Sequence, residues 1–156
     1  MSEGPLSWEA VVQTAIERER EAQELYLEAS EKVKAGEARE LLHDLAAQEE
    51  GHRRRLERLL AGQISPEVLA RYDREIVDLR ITDFLQEVPL DERSDVQQVL
   101  IVAGKREAGS HALYAALADA CEDDEVAALF QFLATEELEH KQRIERLYEE
   151  LFYSEI

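Results

Sequence analysis

Two stretches of the sequence decide the fold: LAAQEEGHRRRLERL at residues 45–59 and LATEELEHKQRIERL at residues 133–147. They match at an offset of 88 residues, and each contains the spacing Glu-x-x-His. The same offset continues upstream, where the identical pairs include Ala15 and Ala103, Arg18 and Arg106, Glu19 and Glu107, Leu25 and Leu113, and Tyr26 and Tyr114. So many identities at one offset indicate two copies of a helical hairpin.

Apolar residues spaced alternately by three and four predict the four helices of these hairpins. The inward stripes are Val12, Ala15, Glu19, Ala22, Tyr26, Ala29 and Val33; Leu42, Leu45, Glu49, His52, Leu56 and Leu59; Leu100, Ala103, Glu107, Ser110, Tyr114, Leu117 and Cys121; and Phe130, Leu133, Glu137, His140, Ile144, Leu147 and Leu151. The turns are predicted at 34–36 and 122–124. Ser7 is a predicted cap of the first helix, and Ser94 with Gln97 a predicted capping box of the third.

The segment between the hairpins, Ala61 to Glu92, is too long for a tight turn. A connection of this length can travel along the bundle, so the second and third helices can run parallel. Ser65 and Pro66 predict a short helix within it, because serine caps helices and proline suits the first helical position. The sequence therefore predicts an all-α four-helix bundle, made of two repeated helical hairpins joined by a long crossover, as a single domain over residues 1–156.

Composition and charge narrow the function. The chain has 156 residues, of which 6% are aromatic, and a formal net charge of −18. This charge argues against nucleic-acid binding, which needs clustered Lys and Arg. No stretch is apolar enough for a membrane span, and the first residues lack the pattern of a signal peptide, so we expect a cytoplasmic protein with no membrane partner. One cysteine, Cys121, excludes an internal disulfide and a four-cysteine metal site within this sequence.

Six ionisable residues occupy the inward stripes, where a core is expected: Glu19, Glu49, His52, Glu107, Glu137 and His140. No Lys or Arg shares these stripes. Burying an unpaired carboxylate costs several kcal/mol, and four at one level also repel one another. Two divalent cations would balance the four negative charges. The pattern therefore predicts that all six bind two metal ions.

Residues three apart share one helix face, so Glu49 with His52, and Glu137 with His140, can each reach one ion. This arrangement, with a glutamate from each of the other two helices, is typical of di-iron and di-manganese bundles. Oxygen-rich ligation with one imidazole per ion favours two iron ions, with manganese second. A polar layer satisfied by hydrogen bonds and water is the alternative.

Other polar residues near these stripes receive separate predictions. The hydroxyls of Tyr26 and Tyr114 can donate to ligand carboxylates, or simply be satisfied within the core. Glu50 and Glu136 are expected in solvent, although Glu136 can approach the site. His43 and His111 lie off the inward stripes and are predicted on the surface. Cys121 is predicted to act as a small apolar residue that fills space near the end of the third helix.

At these residues the sequence resembles the rubrerythrin family of the ferritin-like superfamily. The resembling segments are 19–26, 48–52, 106–114 and 136–140, within a resemblance that covers residues 8–151. The resemblance implies a ferritin-like fold, a non-haem di-iron centre that reduces hydrogen peroxide, and a homodimer.

The chain departs from this family at two points. Rubrerythrins add a rubredoxin domain with a four-cysteine iron that delivers electrons, which we expect this chain to lack, so a separate donor protein is expected. Family members also carry a second carboxylate on the third helix, one turn from the first, where Gly104 and Ser110 stand here. That departure affects the redox-linked ligand exchange of the family and leaves the six-ligand core.

Three functions are compatible with these residues. In the first, two ferrous ions reduce peroxide, with Glu19 and Glu107 as terminal ligands, Glu49 and Glu137 bridging or chelating, and His52 and His140 each binding one iron; dioxygen is the alternative substrate. The second is oxidation of ferrous iron for storage or detoxification, which requires a hollow shell. The third is a non-enzymatic bundle that metal ions only stabilise.

Overall fold

A computed structural model of the protein describes residues 8–33, 36–62, 78–86, 89–90 and 95–153. These residues form four long helices: α1 (Trp8–Lys32), α2 (Gly36–Leu60), α3 (Val96–Ala120) and α4 (Asp124–Phe152). A single turn of 3₁₀ helix, Thr82–Phe84, precedes α3. The all-α prediction is confirmed, and the helices of each hairpin end and begin close to the predicted turns, at Lys32 and Gly36 and at Ala120 and Asp124.

The contacts between side chains fix the directions of the helices. Tyr26 and Glu19 of α1 contact Glu107 and Tyr114 of α3, respectively, so these two helices are antiparallel. Side-chain contacts also make α1 antiparallel to α2, through Arg39 with Ser30 and Arg53 with Gln23. Contacts of Gln97 with Tyr148 and of His111 with Ala134 make α3 antiparallel to α4. Helices α2 and α3 are therefore parallel, as the length of the crossover predicts.

The start of α3 differs by one residue from the prediction. The predicted capping box of α3, Ser94 with Gln97, is wrong, because Asp95 is the N-cap and pairs reciprocally with Gln98. Both pairs have the capping spacing, but the Gln97 amide instead donates to the Tyr148 hydroxyl at 2.8 Å. Ser7 lies outside the described residues, as does the short helix predicted from Ser65.

Two apolar clusters fill the bundle. One contains the end of α1, the first half of α2, the start of α3 and the end of α4, and its largest members are Tyr26, Leu42, Leu45, Leu100 and Tyr148. The other fills the opposite end, around Leu56, Tyr114, Phe130 and Leu133. The six predicted ligands lie between the clusters, so the core consists of two apolar regions separated by one polar layer.

A second buried polar group joins the crossover to α4. Lys141 is only 1% exposed. Its Nζ lies 2.5 Å from Asp78, 3.0 Å from Asp83 and 3.2 Å from Glu145. Glu145, itself fully buried, also accepts hydrogen bonds from the backbone N–H and the hydroxyl of Thr82. We call these five residues the lysine cluster; the sequence stripes did not predict it.

Thr82 also packs against Gly104 of α3. A Cβ at Gly104 would lie 2.5–2.8 Å from three side-chain atoms of Thr82. Thr82 is fixed in place by its hydrogen bonds to Glu145, so it cannot easily move away. The crossover therefore approaches α3 as closely as it does because residue 104 has no side chain.

Replacing Gly104 by alanine is expected to destabilise the protein by about 1–3 kcal/mol, the usual cost of forcing a methyl group into a packed interior. This cost outweighs the roughly 1 kcal/mol by which alanine is favoured over glycine inside a helix. Urea unfolding followed by circular dichroism measures the effect. Gly109→Ala in the same helix is the control: its Cβ would meet only Arg18, at an ordinary 3.6 Å, so it should stabilise. Equal effects of the two substitutions would contradict the tight contact.

No helix among the described residues is long and apolar enough to cross a membrane. The predictions of a cytoplasmic location and of a single domain over residues 1–156 stay predictions.

Candidate metal centre

The six residues predicted as ligands lie together at mid-height of the bundle. Helices α1 and α3 each contribute one glutamate, Glu19 and Glu107, whereas α2 and α4 each contribute a glutamate and a histidine. None of the six side chains is more than 2% exposed. The fold thus brings together in space residues that are up to 121 positions apart in sequence.

The cluster divides into two overlapping groups of potential ligands: Glu19, Glu49, His52 and Glu137; and Glu49, Glu107, Glu137 and His140. Within each group the ligand atoms all lie within 4.8 Å of one another, close enough to surround one ion. Glu49 and Glu137 belong to both groups. Each group adds one glutamate and one histidine of its own. We refer to them as the His52 position and the His140 position.

Both histidines direct Nδ1 towards the carboxylates. His52 Nδ1 lies 2.9 Å from Glu137, and His140 Nδ1 lies 3.0 Å from Glu49. The two imidazole rings are nearly parallel, 10° apart, with centroids 5.4 Å from each other. This arrangement makes Nδ1 the available ligand atom of each ring.

The other nitrogen of each ring faces the opposite helix. His140 Nε2–H donates to Gln48 Oε1 at 2.6 Å, and His52 Nε2 lies 3.6 Å from Glu136 Oε1. Glu136 therefore approaches the site, as the sequence allowed, and is not simply in solvent. Gln48 was missed, because its position immediately before Glu49 does not by itself indicate that its side chain reaches His140.

The tyrosine hydroxyls bond across the bundle. Tyr26 of α1 donates to Glu107 of α3, and Tyr114 of α3 donates to Glu19 of α1. Burial first, and then the neighbouring carboxylates, raise the pKa of both tyrosines well above its usual value. Both hydroxyls therefore keep their protons at neutral pH and hold the two carboxylates in fixed orientations.

Several polar atoms of the cluster make no hydrogen bond among the described residues: Glu19 Oε2, His52 Nδ1 and Nε2, Glu107 Oε2 and Glu137 Oε1. The 2.9 Å approach of His52 Nδ1 to Glu137 Oε1 is a close contact without hydrogen-bond geometry. An unsatisfied buried polar atom costs about 1–3 kcal/mol, so a protein interior seldom tolerates several in one place. Except for His52 Nε2, these atoms face the interior of the cluster. Cations bound there would satisfy them, so the residues present fit a pair of metal ions.

The charges within the cluster shift each other's proton affinity. Burial alone raises the pKa of Glu137, but His140 and His52 lower it well below its usual value. Burial, followed by the charge of Glu137, raises the pKa of Glu107 to about 8, and raises that of Glu49 well above its usual value. The cluster has more negative charge than its two histidines can balance, so it retains protons in the absence of other cations.

For the two histidines, burial and the neighbouring carboxylates shift the pKa in opposite directions. Burial alone would lower the pKa of His140, but Glu107 and Glu137 raise it to about 10. For His52, burial again lowers the pKa, while Glu136, Glu137 and Glu19 raise it well above its usual value. Protons therefore compete with metal ions for both rings, and metal binding should release protons.

These shifts predict that the metal-free protein loses stability as the pH rises from 6.5 to 8. In this range the folded protein keeps protons on Glu107 (folded pKa about 8, ordinary value 4.5) and on His140 (about 10 against 6.5), whereas the unfolded chain has lost them. Each group contributes up to about 1.4 kcal/mol per pH unit in this direction. Urea unfolding in excess chelator measures the slope.

Glu107→Gln is the matched control, since it removes one of the two groups while a side-chain oxygen can still accept the Tyr26 hydrogen bond. The slope should become shallower. A wild-type stability that is flat or rising between pH 6.5 and 8 would contradict these shifts.

The remaining sequence predictions have mixed outcomes. His43 is exposed, as predicted, and Cys121 is a partly buried residue packed against the second apolar cluster. The prediction of a surface His111 is wrong, because its ring is half-buried and Nδ1–H donates to the Ala134 carbonyl at 2.8 Å. Glu50 is partly exposed and pairs with Arg54 at 2.9 Å.

A four-helix bundle that gathers Glu, Glu-x-x-His, Glu and Glu-x-x-His at one level has the architecture of the ferritin-like carboxylate proteins. Within that class, the family model described as Rubrerythrin matches residues 10–83 and 98–156. The chain belongs to the rubrerythrin family. Searches of curated proteins and of solved structures gave no significant match.

Proposed function

We propose that this protein is a non-haem di-iron oxidoreductase that reduces hydrogen peroxide with electrons from a separate donor protein. The observation that carries the proposal is the pair of overlapping ligand groups that share Glu49 and Glu137. Shared carboxylates suit two ions placed side by side, which is what a two-electron reaction at one substrate requires.

The ligand set supports iron. Four glutamates and two histidines give two divalent ions a neutral site, with three or more carboxylate oxygens available to each ion. Such oxygen-rich ligation with one imidazole suits iron or manganese, whereas zinc prefers four tetrahedral ligands with more nitrogen or sulfur. Membership of the rubrerythrin family favours iron over manganese.

When bound, two ferrous ions would supply the two electrons that reduce hydrogen peroxide, with two protons, to two molecules of water. The protein's own side chains would bind the ions and surround them. Glu49 and Glu137 would be ligands shared by both ions, whereas Glu19 and Glu107, each oriented by a tyrosine, would be ligands of one ion each. The two apolar clusters above and below limit access by water, which strengthens the charge interactions at this level.

Stopped-flow oxidation of the anaerobically reduced, iron-loaded protein tests the activity. We expect peroxide to oxidise the ferrous centre faster than dioxygen at equal concentration. Oxidation by peroxide that is no faster than by dioxygen would refute the peroxidase assignment.

Sedimentation of the same sample tests the alternative of iron storage. A hollow shell of many subunits would favour storage, whereas the predicted homodimer would exclude a shell.

A further inference from the structure

The two halves of the candidate centre differ at one pair of repeat-related positions. Gln48 and Glu136 stand at the offset of 88 that relates the hairpins, each immediately before a shared glutamate. Each lies against the histidine of the other half: Gln48 against His140 and Glu136 against His52. His140 therefore faces a neutral amide, whereas His52 faces a carboxylate.

The ligands themselves are matched. Both positions use Glu49 and Glu137, and each adds one glutamate and one histidine. The additional glutamate accepts a hydrogen bond from a tyrosine in both cases, Tyr114 to Glu19 and Tyr26 to Glu107. The formal charge of the ligands is thus the same at both positions, and residues 48 and 136 introduce a difference in charge next to the rings.

A carboxylate beside Nε2 makes Nδ1 a stronger ligand than an amide does, because it stabilises the positive charge that a bound cation induces on the ring. Glu136 Oε1 is 3.6 Å from Nε2, longer than a hydrogen bond, but the His52 ring is 1% exposed and the Glu136 side chain only 16%. Water therefore screens the attraction only partly. The same negative charge also attracts a cation at the His52 position directly.

We propose, on the basis of the di-iron function above, that Glu136 makes the His52 position bind a divalent cation first and more tightly than the His140 position. Glu136 and Gln48 act through the imidazoles and are positioning residues rather than ligands. The two ions are thus loaded in a defined order although the ligand sets are equivalent.

The test uses manganese(II) as the probe, added at one equivalent to the metal-free full-length chain. Anomalous diffraction at the manganese edge gives the occupancy of each position, and calorimetric titration gives the two dissociation constants. We expect occupancy of the His52 position to exceed that of the His140 position, with affinities about tenfold apart, since changes in such outer partners alter metal affinity by roughly 10–100-fold.

The decisive variant exchanges the two residues, Gln48→Glu together with Glu136→Gln. It keeps the composition and net charge, and the occupancy should move to the His140 position. Glu136→Gln alone should bring the two occupancies close together. A residue that only supported folding would change both affinities alike and would not transfer the preference to the other half.

The outcomes separate this inference from the function on which it rests. Equal occupancy in the wild type, or a preference that stays at the His52 position in the exchanged variant, overturns the loading order and leaves the metal centre standing. Absence of manganese and iron binding at both positions overturns the metal centre and the loading order together.

Discussion

Glu137→Ala is expected to abolish tight binding at both ion positions, whereas Glu19→Ala is expected to weaken only one. The reason is that Glu137 belongs to both ligand groups and Glu19 belongs to the His52 position alone. The affinity lost with Glu137 should exceed the roughly 10–100-fold that removal of an outer hydrogen-bond partner costs. Anaerobic titration with ferrous iron gives the number of ions bound and their affinities.

Two further variants complete this test. Glu107→Ala should mirror Glu19→Ala by weakening the His140 position alone. Glu50→Ala is the matched control, because Glu50 follows Glu49 directly but has a partly exposed side chain paired with Arg54. If Glu137→Ala still bound two ions with unchanged affinity, or if Glu19→Ala lost both positions equally, the assignment of shared ligands would be wrong.

Lys141→Met is expected to destabilise the protein by about 3–5 kcal/mol, the usual effect of removing one partner from a buried ion pair. Methionine matches lysine in length, so the change removes the charge with little loss of packing. It would leave Glu145 buried and charged without a cation beside it, while Asp78 and Asp83 are partly exposed and can turn to water. Chemical unfolding of the metal-free protein measures the loss.

A second substitution should restore most of this loss. In Lys141→Met with Glu145→Gln the buried charge is gone, and the glutamine oxygen can still accept from the Thr82 N–H, which lies 2.8 Å from Glu145. If the double variant were no more stable than Lys141→Met, the uncompensated charge on Glu145 could not be the cause.

The sequence was sufficient for the bundle because two independent regularities agreed. The three-and-four spacing of apolar residues predicted which faces turn inward, and the offset of 88 predicted which residues meet at one level. Glu19, Glu49, His52, Glu107, Glu137 and His140 could be placed together for this reason. Their contacts with Gln48 and Glu136 depend on side-chain direction across two helices, which spacing alone does not provide.

The lysine cluster could not be predicted because it depends on the crossover. Asp78, Thr82 and Asp83 lie in a segment without helical periodicity, so nothing in the sequence indicates that they reach α4. Lys141 follows a predicted ligand but lies off the inward stripe and looks like a solvent-exposed charge. Its burial is a consequence of tertiary structure and not of helix periodicity.

The register of α3 shows a different limit. Ser94 with Gln97 and Asp95 with Gln98 both satisfy the spacing of a capping box, one residue apart. The structure uses the second pair, and the Gln97 amide donates to the Tyr148 hydroxyl. Spacing alone does not distinguish the two pairs.

The structure gives a steric reason for the glycine at position 104. By sequence it marks one of two places where family members carry an additional carboxylate. In the fold that place is filled by Thr82, and even a methyl group would collide with it. An additional ligand at residue 104 would therefore require the crossover to shift, so a redox-linked exchange of ligands through this position is not available to the fold as it stands.

The crossed pairing of the two hairpins has a mechanical consequence. Glu19 is oriented by Tyr114, Glu107 is oriented by Tyr26, and both ligand groups combine side chains from the first and second halves of the chain. A cation at either position would therefore link the two hairpins, because its ligands come from both. Pulling one hairpin away from the other would break coordination bonds as well as apolar contacts, so a chain cut within the crossover should reassemble from its two fragments more readily when divalent ions are supplied.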